Sequence, residues 1–87
     1  MTIKIEKPTA AEIAAMKRCP IWSKEESVFD WAYDAEETCY LLEGEVEVTA
    51  EDGSVVAFGA GDLVTFPKGL KCVWDVRRAV RKHYRFG

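Results

Sequence analysis

Histidine is almost missing from this chain: His83 is the only one in 87 residues. That scarcity excludes a metal centre built from several imidazoles of one chain. Cysteine is sparse as well. Cys19, Cys39 and Cys72 form no CxxC pair, and three thiols fit a reduced protein better than a disulfide framework. No apolar run approaches the roughly 20 residues that cross a bilayer. Met1 to Lys7 alternates apolar and polar and lacks the apolar core of a signal peptide. These absences lead us to expect a cytoplasmic protein with no membrane contact. Excess positive charge is absent too. A net charge of −3 and a pI near 5.1 argue against nucleic acid as a partner.

What is present is a globular composition, with 48% hydrophobic and 31% charged residues. Residues 1–87 read as one domain. A chain this short buries only about 60–65% of its unfolded surface, so the core is thin and a homodimer is expected. Basic residues gather late, at Arg77, Arg78, Arg81, Lys82 and Arg85. Their simplest reading is a charged, solvated last strand, and the alternative is a patch for an anionic ligand.

Thr2–Lys7 reads as a short strand. Thr9-x-x-Glu12 is a capping box, so a helix of about two turns is expected from Ala10 to Lys17, with Ile13 and Met16 inward and Pro20 as its stop. Beyond Pro20 the apolar period becomes two. Phe29, Trp31 and Tyr33, then Glu37, Cys39 and Leu41, then Val46 and Val48, then Cys72, Trp74 and Val76 each alternate with their neighbours, as half-buried strands do. Glu43-Gly44, Asp52-Gly53, Gly59-Ala60-Gly61 and Pro67-Lys68-Gly69 punctuate these runs as turn signals. Short strands at a pitch of about eight to ten residues predict an all-β, antiparallel jelly-roll barrel of roughly eight strands with one N-terminal helix.

Two stretches carry more. The first runs Trp31-x-Tyr33-x-x-x-Glu37 to Gly44, and the second runs Gly61-Asp62 to Pro67-x-Gly69-x-x-Cys72. Their spacing resembles the two signatures of the cupin superfamily. The phrase from Gly61 to Trp74, with Glu37-Thr38-Cys39-Tyr40, is similar to small single-domain cupins related to ureidoglycine aminohydrolase. That resemblance implies a cupin barrel and, in members that do chemistry, a divalent metal held by three histidines and one glutamate. Here the histidine places hold Trp31, Tyr33 and Cys72, and only Glu37 matches. Indole donates no lone pair, a phenol must ionise from a pKa near 10, and one carboxylate with one thiolate makes a poor site. No metal and no cofactor are therefore expected.

If the cupin register holds, Trp31, Tyr33, Glu37, Cys39, Cys72 and Trp74 face the interior. They either form an aromatic pocket with one carboxylate and two thiols or simply fill a small barrel. A buried Glu37 must be paired, hydrogen-bonded or protonated, and it is a candidate general base or ligand contact. Cys72 is a candidate nucleophile if His83 lies beside it, although buried inert thiols are the simpler reading of Cys39 and Cys72. Arg81 shares a strand face with His83 and is a candidate anion contact. The leading expectation is a non-metal cupin that binds a small polar metabolite. Alternatives are a ureidoglycine-aminohydrolase-like enzyme acting on a ureide or amide, and a structural or interaction module.

Overall fold

Period two becomes strand wherever it occurs, but one of the expected chain reversals does not exist and the basic run is no separate strand. The computed structural model describes residues 2–87. Its elements are β1 (Lys4–Glu6), α1 (Ala10–Met16), β2 (Ile21–Lys24), β3 (Ser27–Ala32), β4 (Glu37–Ala50), β5 (Val55–Gly59), β6 (Leu63–Phe66) and β7 (Lys71–Phe86). The Glu43-Gly44 signal marks a bend inside the long strand β4, not a turn between two strands. Likewise, Cys72–Val76 and the basic C-terminal run belong to one continuous strand, β7. The expected count of roughly eight strands thus becomes seven among the described residues.

The two long strands pair antiparallel from Glu37↔Phe86 to Ala50↔Cys72, with register shifts between Leu41 and Val46. On one side of this bend β6 adds to β4, β1 adds to β6, and β2 adds to β7. On the other side β5 adds to β4 and β3 adds to β7. The result is an antiparallel sheet folded upon itself, a jelly-roll-like barrel. The shifts also change parity. Interior positions of β4 are Glu37, Cys39 and Leu41 before Gly44, then Val46, Val48 and Ala50 after it. An extra residue in one strand of a pair flips the faces of all that follow. On β7 the even positions Cys72, Trp74, Val76, Val80 and Lys82 point inward, interrupted only at exposed Arg78 opposite the register shifts.

The capping box forms as expected: the Glu12 backbone N–H donates to Thr9 Oγ1 (3.2 Å) and the Thr9 N–H donates to Glu12 Oε1 (2.9 Å). The helix buries Met16, and Ile13 is partly covered. His83 lies within 2.8 Å of the Cys19 carbonyl through Nδ1, and the Tyr84 N–H donates to the Pro20 carbonyl, tying the segment after the helix to β7. β1 is shorter than expected and pairs within the same chain, on β6.

Gly44 is where the fold is tightest. Its φ is +111°, and a Cβ there would come within 2.8 Å of the Ala79 carbonyl oxygen and the Val80 Cα. Gly53 also has positive φ (+87°), but a Cβ there would meet nothing within 4 Å. Gly44→Ala should therefore cost well over the ~1–2 kcal/mol of left-handed strain alone, whereas Gly53→Ala should cost about that strain and no more. Urea denaturation midpoints of the two variants test this, and equal losses would refute the close-packed bend.

Candidate functional site

Even parity on β7 turns Trp74 inward, where it is 2% exposed and organises the rings around it. Its Nε1–H donates to Tyr33 Oη (3.2 Å). Tyr33 in turn stacks on Phe66 with centroids 4.7 Å apart and planes within 7°. Phe29, paired with Trp74 across β3 and β7, stacks on it at 6.0 Å, and Trp22 meets it edge-on at 6.1 Å. Each such pair is worth about 0.5–1.5 kcal/mol beyond its buried area. The rings do not fill the space. They leave a half-enclosed cavity of about 190 Å³, walled by Trp22, Phe29, Trp31, Tyr33, Trp74, Tyr84 and Phe86. The two remaining lining residues are Glu37 and Lys82.

Glu37 and Lys82 face each other at 2.9 Å between Oε2 and Nζ, with side chains only 5% and 6% exposed. Lys82 pairs with Leu41 across β4 and β7, so its side chain enters beside Cys39 and reaches Glu37 one strand position further on. Nζ also lies 3.1 Å from Cys39 Sγ, and Cys39 Sγ donates to the same Glu37 Oε2 at 2.9 Å. The ammonium sits over two indole faces, 4.8 Å from Trp74 and 5.0 Å from Trp22. A buried charge needs this company: the carboxylate supplies the opposite charge, and the indole quadrupoles add cation–π attraction.

The same burial silences the other titratable groups. It raises the Tyr33 phenol far above its ordinary value, with the charges of Cys39 and Glu37 adding to the shift. It pushes the Cys39 thiol up to about 12, with Lys82 opposing and Glu37 reinforcing the shift. Burial alone pushes Cys72 up to about 11. At neutral pH these three are a phenol and two thiols, and none is an anionic ligand. Among the described residues no group of three or more His, Cys, Asp and Glu side chains is placed to hold a metal ion. Glu37, the one residue matching the cupin ligand set, already has an ammonium on Oε2. The residues present do not fit the metal that the fold often carries.

The structure sorts the sequence candidates. Tyr33, Glu37 and Trp74 meet at the cavity as expected. Trp31 lines it too, but at the mouth and 43% exposed, so its expected interior placement is corrected. Cys39 lies behind Glu37, off the cavity wall. Cys72 also lies off this wall, beside Trp31 and Lys71 in a separate, open groove, and its thiol points to the Trp31 carbonyl at 3.7 Å. The Cys72–His83 pair does not form, because His83 is at the other end of β7 against the Cys19 carbonyl. Arg81 points outward and binds Glu43 at 3.1 Å, so it does not share a site with buried His83.

Lys82 is the residue that sequence reasoning missed, having been grouped with the solvated basic residues. Arg77, Arg78, Arg81 and Arg85 are exposed, whereas Lys82 is buried. Its signal was available, because it continues the even, inward parity of Cys72, Trp74 and Val76. Tyr84 and Phe86 carry the same parity and wall the cavity.

Comparison with known proteins adds a lineage to this geometry. The family model described as the EutQ-like cupin domain matches residues 12–84. The protein named acetate kinase EutQ from Clostridioides difficile (strain 630) is 31% identical over 58 residues, which are 67% of this chain and 36% of that protein. The chain thus spans about a third of the length of this relative. A solved DUF861 family protein from Thermotoga maritima is 56% identical with a TM-score of 0.95, over 99% of this chain and 100% of that one. The structure of Clostridium difficile EutQ is 27% identical with a TM-score of 0.69, over 76% of this chain and 52% of that one.

Two outcomes follow from the site. Lys82→Met leaves a buried carboxylate without its partner and should lose about 3–5 kcal/mol, while the double variant Glu37→Leu/Lys82→Met should regain most of that loss. Guanidinium denaturation of the three proteins measures both, and a double variant no better than the single one would refute the pairing argument. The raised thiol values predict that a disulfide reagent at pH 8 labels only Cys19 in the folded protein. At that pH roughly a thousandth of Cys72 is thiolate. Rapid labelling of a second thiol without denaturant would contradict it.

Proposed function

The chain belongs to the family of EutQ-like cupin domains, and we propose that it is a small-molecule-binding cupin that works without the usual cupin metal. The observation that carries this reading is the aromatic cavity whose floor is an internally neutralised ion pair. A packing-only barrel would close over such a pair. Here Glu37 and Lys82 both line open space of about 190 Å³. That volume lies below the roughly 300–1,000 Å³ of drug-sized pockets. At ~30 Å³ per water it equals about six waters, so the ligand is a small one. Seven rings on the wall favour an apolar or planar body. A ligand with a full charge would face a like charge on the floor, Glu37 for an anion and Lys82 for a cation. An uncharged molecule meets neither penalty.

The other readings draw less support from this site. A nucleotide-dependent phosphoryl transfer, as the name of the longer EutQ relative would suggest, asks for several cations around a phosphate chain. This cavity offers one ammonium and little room. Hydrolysis of a ureide in the manner of metal-dependent cupins asks for a divalent ion with open positions, and Glu37 has an ammonium in that role. A purely structural module remains the competing reading, and ligand binding separates it from ours.

Trp31 stands at the cavity mouth and is half exposed, so Trp31→Ala should fold with little change in melting. Small uncharged compounds of about ten non-hydrogen atoms or fewer should raise the melting temperature of the natural protein and quench its indole fluorescence. The Trp31→Ala variant should show a weaker response to the same compounds. If a broad panel of such compounds moves neither signal in the natural protein, the structural-module reading replaces this one.

A further inference from the structure

We infer that the cavity recognises an amide: an uncharged molecule carrying a C=O and an N–H side by side, as in a lactam, a primary carboxamide or a cyclic urea. The inference rests on the proposed ligand-binding role and names the chemistry of the ligand's polar head.

The argument is an accounting of donors and acceptors on the cavity floor. Glu37 receives two hydrogen bonds, from Lys82 Nζ and from Cys39 Sγ, and both end on Oε2. Oε1 takes part in neither, and no fully buried side-chain oxygen or nitrogen among the described residues lacks a partner. Oε1 therefore keeps its access to the cavity that Glu37 lines. An ammonium has three N–H donors. Lys82 directs one at Glu37 Oε2 and one at Cys39 Sγ, which leaves the third uncommitted to any protein acceptor beside the cavity that Lys82 lines. The floor thus presents one acceptor and one donor, held next to each other by an ion pair.

Neither half of that floor is matched by simpler groups. A ketone satisfies Lys82 and leaves Glu37 Oε1 unpaired. An amine cation satisfies Glu37 and sets its charge against Lys82. A carboxylate does the reverse. Among the other polar groups, the Cys39 thiol is spent on Glu37, while the Tyr33 hydroxyl accepts the Trp74 N–H and keeps its own O–H as a second donor on the wall, which the second lone pair of a ligand carbonyl can accept. An amide fills both places at once, accepting from Lys82 Nζ through its carbonyl and donating to Glu37 Oε1 through its N–H. The flat amide plane also suits a cavity walled by aromatic rings. Leaving a buried polar group unpaired is costly, so such a site discriminates against analogues that lack one of the two functions.

Four six-membered rings of nearly equal size test this on the natural protein, without a variant that might not fold. They are 2-piperidone, with both functions; N-methyl-2-piperidone, with its N–H blocked; cyclohexanone, with the carbonyl alone; and piperidine, a cation at neutral pH. Each is titrated into the millimolar range while indole fluorescence and ligand NMR signals are followed. The expected result is that 2-piperidone binds at least about tenfold more tightly than the other three. If all four bind alike, or if piperidine binds best, the amide assignment is overturned while the cavity reading stands. If none of the four binds, the amide assignment is overturned, and the broad panel alone decides the cavity reading. A second measurement uses Glu37→Gln, checked for folding by its amide NMR spectrum. That substitution should erase most of the preference for 2-piperidone over its N-methyl analogue, and an unchanged preference would show that Oε1 does not read the N–H.

Discussion

The interior of this barrel depends on keeping one carboxylate and one ammonium out of water. Desolvating two ions costs several kcal/mol each, and their mutual attraction offsets this only with good geometry and further partners. The chain provides both. Glu37 and Lys82 meet at 2.9 Å, Cys39 donates to the same carboxylate oxygen, and two indoles cover the ammonium. Much of the rest follows from that requirement. Trp22 and Trp74 must stay close to Nζ, which fixes β2 and the N-terminal part of β7 relative to the C-terminal half of β7. Cys39 must stay protonated to donate, and its high thiol value is consistent with that role.

The bend at Gly44 is the geometric condition for the pair. Lys82 lies beyond the bend from Trp74 along β7, and Glu37 lies before it on β4. A straight pair of strands would leave the ammonium and the Trp74 face well over 20 Å apart, at ~3.3 Å per residue. Folding the two strands together at the register shifts brings Lys82 back over Trp74, within 4.8 Å. The glycine that permits close approach to Ala79 and Val80 is therefore linked to the cavity floor by backbone path, although it touches no ligand-facing residue.

Much of this was legible in the residues. The capping box, the period-two strands and the inward set of Tyr33, Glu37 and Trp74 all follow from local pattern, because each is set by neighbours in the chain. Two errors share one cause. Gly44 looks like the end of a strand and the basic run from Arg77 looks like a solvated last strand, since glycine and clustered charge usually mark turns and surface. Inside a strand that bends, the same residues mark a corner. Losing that continuity hid Lys82, whose parity makes sense only if β7 is counted unbroken from Cys72. Arg81 and His83 do share the outer face of β7, but the segment after the helix covers His83 and leaves Arg81 outside with Glu43, so the two do not form one exposed site. Charge type alone predicted solvent for Lys82; strand parity with the need of Glu37 for a partner predicted burial.

A lysine in place of a metal changes what a cupin interior can do. A divalent ion held by several imidazoles keeps coordination positions open and polarises whatever enters them. An ammonium carried on a side chain has no open coordination sphere, and two of its three hydrogens are already committed. What remains is a single directed N–H beside a carboxylate oxygen. That arrangement distinguishes molecules by the pattern of their donors and acceptors. The replacement of histidines by Trp31, Tyr33 and Cys72 is consistent with the same shift. The rings supply apolar walls and the thiol stays neutral, so the frame that elsewhere surrounds a cation here surrounds an aromatic-walled cavity.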